Sequence, residues 1–251
     1  MFTNKYIFIY ASVMVILVAA ILSSASMVLK PFQEANVKAE KIQGILASAN
    51  IVTDRAAAAD TYSKYVVEEL AVDSKGNVVS VFKNNTLEKG ELRPFDINLK
   101  IQNNLKKELA AGKTEATPVW PIFVMEKDGE RSYVVPVLGI GLWGPIWGNI
   151  AFKSDFNTIA GATFDHKGET PGLGAEINTS WFEAYFTGKT IFDENGDFVS
   201  VKVVKGGVSN SNINPAHGVD AISGGTITSN GVSDMLKDCL ENYVPYIEKN
   251  K

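Results

Sequence analysis

Residues 217–232 read His-Gly-Val-Asp-Ala-Ile-Ser-Gly-Gly-Thr-Ile-Thr-Ser-Asn-Gly-Val. Behind them Val232, Met235, Leu236, Cys239, Leu240, Tyr243, Val244 and Ile247 step by three and four along one side of a helix. A turn of small residues therefore feeds into an amphipathic helix whose apolar stripe must be covered by a sheet or another helix. Glycine permits positive φ and close backbone approach, so successive amides can converge on an anion while the helix dipole adds about 0.3–1 kcal/mol. The spacing predicts a helix cap at Ser229 or Asn230, with Thr226 a few residues ahead of it, a geometry suited to phosphate. Cys239 falls on the apolar stripe and reads as a small buried hydrophobe.

The chain has 251 residues, 45% of them hydrophobic, enough for one sizeable domain or two small ones. Its net charge is −4, and because the first 30 residues carry only Lys5 and Lys30, the rest holds 22 basic against 28 acidic groups, or −6. An acidic body lacks the basic stripe that nucleic acid requires. One cysteine cannot close an internal disulfide, and with only His166 and His217 beside it no metal site is expected.

Tyr6 to Leu29 holds 24 residues without a charge. As a helix it reaches about 36 Å, enough to cross a hydrocarbon core of roughly 30 Å with some tilt. Ser24, Ala25 and Ser26 would suit a cleaved signal peptide, but an h-region runs only about 7 to 15 residues, so a retained anchor with membrane lipid around residues 6–29 is the expectation. Lys5 on a short N-terminal side favours an N-inside orientation and an extracytoplasmic body. The expected organisation is an anchor over 1–30, a helical stalk over 31–53 that includes a helix from Glu34 to Ser48, and one domain over 54–251.

Within that domain, residues 54–70 open as a helix, and Tyr65, Val66 and Val67 make strand equally fitting at the end. Asn77–Phe82 reads as a short strand, and Asp96–Ala111 as a helix stopped by Gly112. Val119–Glu126 and Arg131–Leu138 flank an Asp128-Gly129 turn, Ile146–Phe152 and Phe156–Thr163 follow as strands, and Ile191–Val204 predicts a second hairpin around Asn195-Gly196. Asn178 or Thr179 can cap a short helix through Phe186. The pattern is α+β: helices around a mostly antiparallel sheet.

Familiar catalytic signatures fail on their context. Gly139-Ile-Gly-Leu-Trp-Gly144 fits G-x-G-x-x-G, but Pro145, Ile146 and Trp147 lead into another strand where a dinucleotide fold needs a helix. Gly112-Lys-Thr114 and Gly188-Lys-Thr190 end like a phosphate loop, yet Lys107 and Glu183 stand where its first glycine belongs. There is no G-x-S-x-G elbow around Ser223, and His166 and His217 read as loop histidines.

Asp220 followed by Ser223-Gly224-Gly225-Thr226 resembles the D-x-x-S-G-A-T motif of the FMN-binding domain family, in which the threonine carries FMN through a phosphoester bond and a flavin transferase uses FAD as donor. The similarity extends to Val203–Gly207, His217–Asp220, Thr228–Val232, Glu169-Thr-Pro-Gly-Leu-Gly174 and Gly141-Leu-Trp-Gly144, and with the anchor it covers essentially the whole chain. Family members include an electron-carrying subunit of a Na⁺-translocating NADH:quinone oxidoreductase and its counterpart in the Rnf-type ferredoxin:NAD⁺ oxidoreductase; Gly141-Leu-Trp-Gly-Pro-Ile-Trp147 resembles the former. A third reading is an anchored flavoprotein without turnover of its own.

The resemblance implies that Thr226 bears the FMN phosphate and that Ser223, Gly224 and Gly225 shape its turn, with glycine at 225 in place of the usual alanine. Thr163 follows Ala160-Gly-Ala but lacks the serine and the acid of the motif. Asp220 and Ser223 are expected to be read by the transferase or to shape the turn. Glu169, Thr170, Leu173 and Gly174 are expected beside the flavin ring on a loop stiffened by Pro171, with Trp143 against the ring and Lys205 offsetting phosphate charge. No side chain is expected to act as acid or base, the chemistry being that of the cofactor. The implied partners are the other subunits of a bacterial inner-membrane complex and, during maturation, the transferase.

Overall fold

The computed structural model describes residues 3–250; residues 1 and 2 of the expected anchor, and residue 251, lie outside the described residues. The chain forms two compact units, residues 1–42 and 43–251. Helix α1 (Asn4–Ser48) continues through Pro31 without a break, where the sequence predicted an anchor ended by that proline and a separate stalk helix. An interior proline costs a helix about 3 kcal/mol, and the long helical runs on both sides of Pro31 carry α1 past it. Among the described residues α1 is the one helix long and apolar enough to cross a membrane, and Phe8, Ile16 and Leu22 stand exposed along it.

The second unit starts inside the expected stalk. Ile45 and Leu46 are fully buried and the Thr163 hydroxyl donates to the Gly44 carbonyl at 3.1 Å, so residues 43–53 belong to the domain. Thr163 is thereby a structural contact. Along the chain then follow α2 (Ala58–Tyr65), β1 (Val66–Asp73), β2 (Val78–Lys83), β3 (Thr86–Lys89), α3 (Leu99–Ala110), β4 (Val119–Lys127), β5 (Glu130–Ile140), β6 (Pro145–Phe152), β7 (Ile159–His166), α4 (Ser180–Ala184), β8 (Lys202–Val204), β9 (Gly218–Asp220), α5 (Thr226–Leu240) and α6 (Val244–Asn250). The first seven strands make one antiparallel sheet in the order β3-β2-β1-β4-β5-β6-β7, giving the expected α+β architecture.

Strand β4 reads as an unbroken apolar run because both of its faces are covered. Trp120, Ile122 and Val124 share a core with Val232, Leu236 and Tyr243, whereas Phe123 points the other way and meets Tyr62 and Phe95 edge-on at 6.3 Å. Each such side chain, fully buried, is worth roughly 1.5–3 kcal/mol. The β4–β5 connection is the expected tight turn, with positive φ at Asp128 (55°) and Gly129 (82°).

Several elements differ from expectation. β7 begins at Ile159, three residues after the predicted Phe156, which sits in the preceding turn at φ +51°, and β3 was not anticipated. α3 begins at Leu99, capped by Asn98, whose side chain accepts the amides of Lys100 and Ile101; Ile97 is buried in the preceding 3-10 turn. The hairpin around Asn195-Gly196 shrinks to one bridge, Phe192 with Phe198, because Ile191 O accepts both Val199 and Ser200 amides and Ser200 takes φ +59°. The chain then swings away so that β8 pairs in parallel with β9. Most consequentially, α5 starts at Thr226 with Gly225 as its cap residue, ahead of the predicted Ser229 or Asn230. Ser229, one of the two side chains that sequence rules favour as the cap, instead accepts the Ile222 amide.

Candidate functional site

Three loops of the larger unit converge at the start of α5. The β5–β6 turn supplies Gly141, Leu142, Trp143 and Gly144; the segment after β7 supplies Glu169 to Gly174; and the segment after β9 supplies Ser223, Gly224 and Gly225. Glycines set the distance of approach. A β-carbon on Gly174 would lie 2.3 Å from Thr228 Oγ1, one on Gly141 would lie 2.7 Å from Glu169 Oε1, and one on Gly224, at φ +74°, would lie 2.6 Å from Leu173 Cδ2. Gly231, one turn into α5, sits as tightly on the Ile140 carbonyl.

Glu169 ties the loops together. It is 4% exposed, and its carboxylate accepts from the Thr228 hydroxyl at 2.5 Å and from the Trp143 amide at 2.8 Å. Its own amide donates to His166 Nδ1 at 3.1 Å, and the Trp143 indole donates to Thr170 Oγ1 at 3.1 Å. Burial pulls the Glu169 carboxyl upward, but the Thr228 hydroxyl, the Trp143 and Leu142 amides and nearby His166 outweigh that and hold it below the ordinary carboxylate range. With both oxygens occupied, this carboxylate is a structural anion rather than a proton donor. Thr228, which the sequence did not single out, was findable: two residues along a helix turn it by roughly 200°, so if Thr226 faces outward Thr228 faces the protein.

Thr226 is half-buried at the first position of α5, and no side chain caps that helix. The amides of its first turn lack intrahelical acceptors and point out of the helix end. Ser229, fully buried, turns its hydroxyl inward to accept the Ile222 amide at 3.3 Å, which holds the 221–225 segment against the helix. Around this end Leu142, Trp143, Leu173 and Ile227 stand exposed, a cluster of large apolar side chains beside a polar, donor-rich helix terminus. A flat aromatic ring with a phosphate tail matches that pairing of apolar rim and free amides.

The remaining predicted residues fall farther out. Asp220 directs Oδ1 to the Val208 amide at 2.7 Å, bracing the turn that begins at Lys205, and is not directed at Thr226. Lys205 is exposed at the end of β8, next to the point where Ala221 donates to Val204 O. Ser223 is exposed at the tip of the turn. His217 Nδ1 lies 2.7 Å from Thr190 O, outside the cluster, and no metal-ligand group of three or more occurs among the described residues.

Comparison with known proteins gives this arrangement a class. Residues 141–241, which contain all three loops and α5, match the model of the FMN-binding domain family. The C subunit of the Na⁺-translocating NADH-quinone reductase from Pseudomonas aeruginosa is 37% identical over 136 residues, 52% of either chain, and its counterpart from Neisseria meningitidis serogroup B is 31% identical over 93% of this chain and 89% of its own. The crystal structure of the same reductase component from Parabacteroides distasonis superimposes with a TM-score of 0.72 at 38% identity, covering 87% of this chain and 96% of that one. The chain belongs to the family of C subunits of the Na⁺-translocating NADH-quinone reductase, an oxidoreductase complex, and carries that family's FMN-binding domain.

Proposed function

We propose that this chain holds FMN through a phosphoester to Thr226 Oγ1 and relays electrons from NADH toward quinone inside the complex. Attachment from FAD joins the threonine oxygen to the FMN phosphorus, releases AMP and passes the hydroxyl proton to solvent through the transferase. The observation that carries this reading is the position of Thr226, first in the uncapped α5 and directly after Gly224 and Gly225, which pack on Leu173 of the loop that Glu169 ties to Trp143. The first-turn amides and the helix dipole offset the phosphate charge there. Leu142, Trp143, Leu173 and Ile227 would hold the ring, and Lys205 adds positive charge from the neighbouring turn. The bound flavin supplies the electron transfer, and the protein positions it and sets its surroundings. Residues 6–29 keep the chain in the bacterial inner membrane as a single span with the domain on the external side.

The test is retention of flavin after denaturation. Wild-type chain produced with the transferase should keep a yellow, fluorescent flavin through unfolding and gel separation, and Thr226→Ala should lose it. Flavin released from the denatured wild type, or retained by Thr226→Ala, contradicts the reading.

A further inference from the structure

We infer that Thr228, acting through Glu169, is the positioning residue that holds Trp143 and the 169–174 loop closed over the flavin. The inference rests on the reading of Thr226 and extends it. Thr226 and Thr228 share one turn of α5 but face opposite ways: the first is the attachment point, and the second is 2% exposed with its hydroxyl on Glu169 Oε2. The other oxygen of the same carboxylate accepts the Trp143 amide, and Trp143, 68% exposed, is tied a second time by its indole to Thr170 Oγ1. A single buried carboxylate thus links the helix that carries the cofactor to both loops that flank it. Gly141 and Gly174 both lie against that carboxylate, where a β-carbon on either would come within 2.7 Å of one of its oxygens. A buried hydrogen bond to a charged group is stronger than a neutral one, and losing its donor leaves the anion short of a partner. Removing the Thr228 hydroxyl therefore loosens the Trp143 and 169–174 loops while leaving Thr226 in place.

The experiment uses full-length chain produced with the flavin transferase, as wild type, Thr228→Val, Thr228→Ser and Thr170→Val. Measured on each are the flavin found on the Thr226 peptide by mass spectrometry, iodide quenching of the bound flavin, and hydrogen exchange of residues 142–144 and 169–174. Thr228→Val should keep wild-type flavin content on Thr226 but show steeper iodide quenching and faster exchange in both loops; Thr228→Ser should restore both. Thr170→Val, changed at an exposed position and so safe for folding, should raise quenching in the same direction. Wild-type quenching and exchange in Thr228→Val, or, if that variant does not fold, wild-type quenching in Thr170→Val, overturns the proposal. So does a folded Thr228→Val that has lost its flavin, because Thr228 would then serve attachment. A wild type whose flavin is absent from Thr226 overturns the underlying reading, a result visible in the peptide mass before any variant is compared.

Discussion

Gly174 shows how little freedom the individual positions of the site have. Its missing β-carbon is what lets the 169–174 loop lie against Thr228 and Glu169, and an alanine there would meet both oxygens inside contact distance. Gly174→Ala should lower stability by about 1–3 kcal/mol, the usual cost of overpacking, read from urea unfolding of the full chain. Glu169 gives a second outcome, in pH. Its folded pKa is depressed, so its contribution to stability is fully present above the unfolded value of about 4.3 and is lost as pH falls through the folded one. Glu169→Gln should therefore show a flatter fall in stability than wild type as pH drops below about 4.3, measured by unfolding at successively lower pH. An identical acid slope in the two proteins contradicts this account of the carboxylate.

At the scale of elements, helix starts decide most of the differences between expectation and structure. Asn98 is a conventional cap, with its side chain accepting from Lys100 and Ile101, and Asn98→Ala should cost about 0.5–2 kcal/mol, seen as a lower Tm. The start of α5 is the opposite case. Capping preference points to Ser229 or Asn230, yet Thr228 and Ser229 direct their hydroxyls to Glu169 and to Ile222, both closed by tertiary contacts, and the helix begins three residues before Ser229 with glycine as its cap residue. No periodicity in residues 217–232 encodes where those partners lie. Strands β4 to β6, the Asp128-Gly129 turn and the stripe from Val232 to Ile247 were legible because each rests on local chemistry or on repeat spacing. The hairpin at Asn195-Gly196 misled because the turn chemistry is present, with Asp193 accepting the amides of Asn195 and Asp197, while the strands beyond it are recruited elsewhere. Of the candidate site, Thr226, Glu169 and Trp143 were reachable through the motif they resemble and Thr228 through its helical phase against Thr226, while the role of His166 is visible only once the loops are folded together.

The molecule as a whole divides its hydropathy and its charge between its two ends. The charge-free run of residues 6–29 lies in one compact unit and the acidic body, net −6, in the other. Deleting residues 1–30 should release the chain from sedimenting membranes into the soluble fraction; persistence in the membrane pellet would place a second anchoring surface on the domain. The acidic surface keeps the released domain soluble at neutral pH. The seating of α5 bears on electron transfer itself. The helix that begins at Thr226 continues through Val232, Leu236, Cys239 and Leu240, all buried, so the proposed attachment point is the half-buried first residue of a firmly packed helix. Polar groups held that firmly are already oriented before any charge arrives, so an electron reaching a carrier at this helix start meets a surrounding that has little left to rearrange. For a carrier attached there as proposed, the rate of each transfer would then be set by separation and driving force, and placement of the domain among its neighbours would matter more than local rearrangement.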